Sequence, residues 1–333
     1  MKSQRSQTAK RKPRFSDRRA KGRDVHLPFF QADLNQMTIL IDGNNISYRH
    51  YWAFKKSSRT GGVSARECGQ ETCVIRGVLD EIAFLKRKYP GSRVVVAWDG
   101  GGSIRRIKET KRAVESGLIK TGYKEGRVRD NQDTQSVQVQ MSFLKTEILP
   151  VVAVCQCEIK GFEGDDIICS YIESGNGDFV ISSSDKDFFQ LLRPGVFIDD
   201  MMNRRVVTAE SFLSDYGFPP CLYVDYGALV GEGGDNIPGV DGCGDKTARA
   251  LVAKSGTLEK IIKEISAKDN RTKAEQSILD NLDVAHLSYS LKKMDVIPVP
   301  PIEIKKKSVQ EIRKMLIKWG FMSLLKAADI LSE

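Results

Sequence analysis

The sequence predicts an α/β fold, with a parallel sheet whose carboxyl edge carries acids and a smaller helical module after it. Three observations predict this. Short apolar runs of the kind buried in parallel sheets (Met37–Ile41, Arg93–Trp98 and Phe179–Ile181) alternate with amphipathic segments such as Val74–Lys88, the pattern of strand–helix–strand crossovers. Each run leads into acids: Asp42, Asp99, and the pair Asp185 and Asp187. From Glu210 onward the pattern turns helical.

Taken in order, Met37–Ile41 is the first strand, and Asp42-Gly43-Asn44-Asn45 turns the chain into a helix. Val74, Val78, Ile82 and Leu85 give the next helix one apolar face before the strand Arg93–Trp98. Gly100-Gly101-Gly102 reads as a hinge, since a lone glycine run is weak support for a phosphate loop. Between Ile104 and Arg129 nine basic residues face three acids. Residues 134–148 read as a helix and Val151–Cys155 as a strand. Beyond the third strand, Phe188–Leu192 packs, and Val196–Ile198 and Arg205–Val207 are short strands.

The chain is organised around Gly161–Leu192. Asp165 and Asp166 open a helix that packs Ile167, Ile168 and Tyr171. Alone, Glu163–Asp166 reads as a helix cap and Ser183–Asp187 as a turn. Three strands and a helix start delivering acids to one edge are not explained by caps, and that edge is where ligands bind in open α/β sheets. Glu163, Asp165, Asp166, Asp185 and Asp187 would repel one another unless a cation lay among them. His26, His50 and His286 are dispersed and the seven cysteines hold no C-x-x-C, so oxygen-ligated Mg²⁺ or Mn²⁺ is the expected ion.

A length of 333 residues with 41% hydrophobic content allows one large or two modest domains. No apolar run approaches a membrane span, and the odd, scattered cysteines point to a reducing compartment rather than a disulfide framework. The net charge of +9 is concentrated at the amino end, where residues 1–23 hold ten basic residues against Asp17. The remainder is formally neutral. Residues 1–36 therefore read as a disordered basic arm for nonspecific phosphate attraction. A transit peptide fits less well, because the arm lacks an amphipathic face.

The second module centres on Gly231–Ala248. Gly239–Thr247 nearly matches a phosphate-binding loop of the Walker type, but Asp245 intrudes before Lys246 and no apolar strand precedes it. Val240-x-Gly242-x-Gly244 ahead of a helix fits instead a hairpin whose exposed backbone N–H groups grip a phosphate, reinforced by Lys246 and Arg249.

The ordered set Ile41-Asp42-Gly43, Trp98-Asp99, Gly161-Phe162-Glu163-Gly164-Asp165-Asp166, Ser184-Asp185-Lys186-Asp187, Asp235-Asn236-Ile237-Pro238-Gly239-Val240 and Gly242-Cys243-Gly244-Asp245-Lys246-Thr247-Ala248 resembles the structure-specific 5′ nucleases. The resemblance is to the flap endonuclease and 5′-3′ exonuclease family, especially its bacterial polymerase-associated and bacteriophage members. The resemblance runs from Met37 to about Leu331 and includes the closing Trp319-Gly320-Phe321-Met322-Ser323-Leu324-Leu325. It implies a PIN-like nuclease core over residues 37–209 with a helical arch at about 100–133. A helix-hairpin-helix module over 210–290 and a segment over 291–333 packing back on the core complete the implied organisation.

It also implies two Mg²⁺ ions, with Mn²⁺ as a substitute, and K⁺ at the hairpin loop. Asp42, Asp99, Glu163, Asp165 and Asp166 would serve the first metal; Asp185, Asp187 and Asp235 the second. Glu232 stands where the family usually has a metal-binding aspartate, and its extra methylene shifts the carboxylate. Tyr123-Lys124-x-x-Arg127 resembles the arch motif whose lysine reaches the scissile phosphate, and Arg105 and Arg106 are further expected DNA contacts, although the segment from Asp99 to Lys124 is longer than in compact phage members. Gly242, Gly244, Lys246, Thr247 and Arg249 would hold the duplex.

Asp42, Asp99, Asp165, Asp187 and Lys124 thus form the expected catalytic set for in-line phosphodiester hydrolysis by two metals roughly 4 Å apart. The implied substrates are branched or nicked duplex DNA with a 5′ single-stranded end and RNA–DNA hybrids. The implied setting is a monomer in bacterial or phage-infected cytoplasm, working with replication proteins. Two rivals compete: a catalytically weak DNA-structure-binding protein, and a PIN-type ribonuclease, which would not explain Gly239–Arg249.

Overall fold

Thr38, Ile39, Leu40 and Ile41 are all fully buried, as residues of a central parallel strand must be when both sheet faces are covered. The computed structural model describes residues 37–58, 66–67, 70–127 and 131–333; the expected basic arm and Arg129 lie outside them. In chain order the first part comprises β1 (Thr38–Asp42), α1 (Gly43–Ser58), β2 (Arg66–Glu67), β3 (Gln70–Glu71), α2 (Cys73–Lys88), β4 (Arg93–Gly100), α3 (Ile104–Glu115) and α4 (Gln132–Phe143). Then follow β5 (Cys155–Lys160), α5 (Gly164–Ser174), β6 (Phe179–Ser182), β7 (Val196–Asp200) and β8 (Arg205–Val207).

Six strands form one sheet in the order β5-β4-β1-β6-β7-β8. Its pairings are parallel except for β8 against β7. The chain runs outward from β1 through β4 to β5, then returns to β6 on the other side of β1. That reversal opens a crevice beyond the carboxyl ends of β4, β1 and β6. The junction there is tight: a Cβ on Gly43 would lie 2.5 Å from the Trp98 ring, so the residue after Asp42 has to be glycine for β4 and α1 to close together.

The strand expected at Val151–Cys155 is displaced. Val152 and Ala153 are buried in the connection after a short 3₁₀ turn, Leu149–Val151, and β5 begins only at Cys155. As the sheet edge, β5 pairs with β4 alone among the described residues and alternates Gln156 and Glu158 with Cys157 and Ile159, so hydrophobic density does not mark it. The helix expected over 134–148 is α4 continued by a π-helical turn, Leu144–Ile148.

The helical part comprises α6 (Ala209–Tyr216), α7 (Tyr223–Val230), α8 (Asp245–Ser255), α9 (Leu258–Ser266), α10 (Lys273–Asp280) and α11 (Leu282–Lys292). Its buried Phe212, Leu229, Val252, Ile261 and Ile278 join Ile181 and Phe188 of the sheet region in one hydrophobic cluster. Two further helices, α12 (Val309–Lys318) and α13 (Ala328–Ser332), end the chain. They meet the sheet side: Ala153 N–H donates to Leu331 O at 2.9 Å, and the Trp319 ring meets Phe143 edge-on at 5.1 Å. Among the described residues no helix is long and apolar enough to cross a membrane.

Candidate active site

β1 and β4 run in register, Asp42 opposite Ala97, so Asp42 and Asp99 emerge together at the carboxyl edge. Asp42 accepts from Asn45 N–H at 2.9 Å and from Ser183 Oγ–H at 3.3 Å. Asp99 accepts from Gly164 N–H at 2.8 Å, and its own N–H donates to Asn44 Oδ1 at 3.1 Å. Gly164 allows this approach: a Cβ there would crowd Asp99 Oδ1 at 3.3 Å. Asp42, Asp99, Glu163, Asp165 and Asp185 line one cavity of about 640 Å³, and Lys124 and Arg127 line it with them.

The acids of this cavity fall into two electrostatic classes. Asp42 is pushed up to about 7 by desolvation, with Asp99 and Asp185 adding repulsion against the pull of Asn45 and Ser183. Asp99 and Asp165 are raised as well, first by burial, with Glu163 adding to both. Among the described residues, Asp42, Asp99 and Asp185 have no basic side chain within ion-pair distance. Glu163 behaves oppositely. Burial works against its ionisation, yet Lys124, Arg106 and Tyr123 together hold it below the ordinary range.

Those partners correct the expectation for α3. Arg106 was expected to meet DNA, but it is 1% exposed and its guanidinium donates inward to Glu163 Oε2 at 2.6 Å and Asp166 Oδ1 at 2.9 Å. It also donates to Leu291 O at 3.1 Å and Lys293 O at 3.3 Å. Arg105 is likewise engaged, by Asp295 at 2.8 Å, by Ser290 O at 2.9 Å and by Lys293 O at 2.9 Å. The physical reason is local: α3 packs against the end of α11, where free carbonyls and acids accept the guanidinium protons. Asp166 is fully engaged too, accepting from Arg106 and from the N–H groups of Asp295 and Glu163 at 2.9 and 3.2 Å.

The loop after α3 does reach the acids. Tyr123 Oη–H donates to Glu163 at 2.9 Å and Asp235 at 3.3 Å, and Lys124 Nζ donates to Glu163 Oε1 at 2.6 Å. Arg127 pairs with Asp235 and donates to Gly234 O at 3.2 Å. The loop is docked by backbone as well: Lys124 N–H donates to Asp235 O at 3.0 Å, and Asn236 Nδ2 donates to Gly122 O at 3.0 Å and Glu125 O at 2.7 Å. Lys124 and Asn236 both adopt left-handed φ, 54° and 57°.

Asp187 and Glu232 share a cation that no motif announced. Lys292, 105 residues from Asp187 in sequence, ion-pairs with Asp187 and donates to Glu232 Oε2 at 2.6 Å. Desolvation raises Asp187 to about 6 even against Lys292, with Asp185 and Glu232 adding to the rise. In the sequence, Lys292 reads as an ordinary basic residue in the last turn of a helix; its inward course is visible only in three dimensions.

As arranged, no three acids, histidines or cysteines among the described residues converge closely enough to chelate one ion. Several of the expected ligands are instead paired with cations of the chain: Glu163 with Arg106 and Lys124, Asp166 with Arg106, Asp235 with Arg127, and Asp187 and Glu232 with Lys292. The donor chemistry still fits a hard divalent cation at Asp42, Asp99 and Asp165, an all-oxygen set whose carboxyls are raised by burial first and by neighbouring acids second, so that a bound cation would relieve them.

Away from this cavity, the segment before α8 is open. Gly242 turns with φ 75°, and a Cβ at Gly242 or Gly244 would meet nothing within 4 Å. Lys246 is exposed and Thr247 half-buried. Arg249 lies back on the protein instead, its guanidinium 4.0 Å from the centre of the Tyr216 ring and donating to Asp245 and Asp215 O, each at 2.8 Å.

A family profile described as "5′-3′ exonuclease, N-terminal resolvase-like domain" matches residues 37–217, and one described as "5′-3′ exonuclease, C-terminal SAM fold" matches 218–314. A 5′-3′ exonuclease of Buchnera aphidicola is 32% identical over 286 residues, covering 83% of this chain and 91% of its own length. Among solved structures, T5 5′-exonuclease with bound zinc superposes with a TM-score of 0.58 at 18% identity, over 90% of this chain and 100% of the other. Flap endonuclease-1 from Methanococcus jannaschii superposes with a TM-score of 0.57 at 17% identity, over 90% and 93%. With both halves matched, the acid-lined carboxyl edge and the helical module behind it have a common explanation: the chain belongs to the 5′-3′ exonuclease family of nucleases.

Proposed function

We propose that this nuclease hydrolyses phosphodiester bonds at the 5′ single-stranded ends of branched or nicked duplex DNA, dependent on divalent metal, in replication or repair. RNA primers on DNA are included in the proposed substrates. The observation that carries the reading is the shared cavity in which Asp42, Asp99, Glu163, Asp165 and Asp185 face Lys124 and Arg127. The bound zinc of the T5 relative and the flap activity in the name of the Methanococcus relative support it.

Asp42, Asp99, Asp165 and Asp185 would hold Mg²⁺ or Mn²⁺, which supplies Lewis-acid activation of water and neutralises phosphate charge. The chain's own residues do the remainder. Lys124 brings an ammonium to the cavity wall, placed to bind a phosphate oxygen once Glu163 has another cation to share. Tyr123 and Arg106 hold Glu163 in place, and Gly164 N–H orients Asp99. The exposed N–H groups around Gly242 and Gly244, with Lys246, are suited to a duplex phosphate away from the chemistry.

The pairing of Glu232 with Lys292 favours one second reading, a DNA-structure-binding protein whose second metal site is weak. One assay separates them: single-turnover cleavage of 5′-flap, nicked and RNA-primed duplexes with and without Mg²⁺, for the wild type and Asp99→Asn. The proposed function expects metal-dependent cutting near the junction, lowered at least about a hundredfold in the variant while DNA binding persists. Binding without cutting at any Mg²⁺ or Mn²⁺ concentration would select the second reading.

A further inference from the structure

Lys292 ends α11, yet its side chain runs inward and is 5% exposed. Its ammonium bridges Asp187, which follows β6, and Glu232, which follows α7. The course it takes is built. Gly227 of α7 leaves the space through which the lysine stem passes, since a Cβ there would lie 2.9 Å from Lys292 Cε. Gln190 ties the ends together, donating to Asp187 O at 2.9 Å and to Lys292 O at 3.1 Å. A charge so desolvated persists only where its partners are fixed around it.

We propose that Lys292 is the resident cation of the Asp187–Glu232 pair, and that a divalent ion reaches this pair only by displacing its ammonium. The inference rests on the metal-dependent reading given above. An incoming divalent ion must either take both carboxylates from the ammonium or sit beside a like charge. At Asp42, Asp99 and Asp165 no basic side chain among the described residues bridges two of the acids in this way: Arg106 lies 3.6 Å from Asp165 but spends its hydrogen bonds on Glu163 and Asp166, so the first ion displaces no bridging cation. The chain therefore binds its two ions with unequal affinity, and the second is the one that limits full loading.

The test counts ions rather than cleavage. Mn²⁺ binding to the full chain without DNA is followed by the electron paramagnetic resonance of free Mn²⁺ and by calorimetry, for the wild type, Lys292→Met and Lys292→Arg. Methionine keeps most of the stem's length beside Gly227 without its charge. The expected result is a second ion bound at least about tenfold more tightly by Lys292→Met than by the wild type, with the first ion shifted less than about threefold. Lys292→Arg should stay with the wild type.

Because Lys292→Met leaves two carboxylates facing each other, melting in Mn²⁺ and in EDTA is measured alongside. A variant rescued by Mn²⁺ supports the proposal, since the ion then takes the ammonium's place. A variant still unfolded in saturating Mn²⁺ overturns it, as does equal second-ion affinity in wild type and Lys292→Met. If the wild type binds no Mn²⁺ at all, the metal-dependent reading falls and this inference with it; a first ion bound normally with no Lys292 effect overturns this inference alone.

Discussion

At the end of β1, Asp42 keeps its proton to about pH 7, because burial and the neighbouring Asp99 and Asp185 disfavour its anion. An unfolded aspartate loses its proton near 3.8, so between these values the native state holds a proton that the unfolded state has released. Stability from this group is therefore greatest below about pH 4 and falls as pH rises towards 7. In EDTA, Asp42→Asn should match the wild type at pH 4 and exceed it by on the order of 2 kcal/mol at pH 8. Urea titrations at the two pH values check this, and Mg²⁺ should narrow the gap by stabilising only the wild-type carboxylate. A gain independent of pH would remove Asp42 from the repelling set. Arg106 gives the opposite case, a cation that holds two buried acids. Arg106→Met should cost about 3–5 kcal/mol in the metal-free protein, the usual penalty for orphaning a buried charge. DNA affinity per folded molecule should change little; a large loss of affinity with unchanged stability would restore the DNA-contact role expected for this residue.

Among the elements, α8 has the simplest link between sequence and use. Its N-cap is Gly244, which offers no side chain to satisfy the first N–H groups, so these donors remain available to an anion. Lys246 is exposed beside them. Lys246→Ala should raise the dissociation constant for duplex substrates by a few-fold and lower the salt slope by about one, without moving the cut position. Binding isotherms across a salt series test this, and an equal loss on single-stranded substrate would count against a duplex contact. Arg249, expected to act with Lys246, is stacked on Tyr216 and bonded to Asp245, so its removal should act mainly through packing of α8 against α6.

Across the whole molecule, charge is distributed very unevenly. Ten of the basic residues lie before residue 24, with Asp17 as the one acid there. Removing residues 1–30 should weaken DNA binding most at low salt and flatten the dependence of log K on log salt, because fewer counterions are released. Single-turnover cleavage at saturating DNA should stay within about twofold, since none of the acids described at the carboxyl edge is removed. A large fall in that rate for the folded truncated protein would give the arm a part in the chemistry.

Periodicity and motif spacing placed β1, β4, β6, α2 and α5, and with them Asp42, Asp99, Asp165 and Asp185 at one edge, because a parallel strand fully buried on both faces can only be written as an apolar run. The edge strand β5 escaped, since one unpaired side lets polar residues in. What the tertiary structure alone decided was which acids are paired and with what. Arg106 is drawn to Glu163 and Asp166 by the packing of α3 on α11, and Lys292 is drawn to Asp187 and Glu232 through the gap at Gly227. Local patterns register a residue's helix and its face. They carry no record of which charge from a distant element will fill the space opposite, and that pairing is fixed only when desolvation forces every buried carboxylate to find a cation or keep its proton.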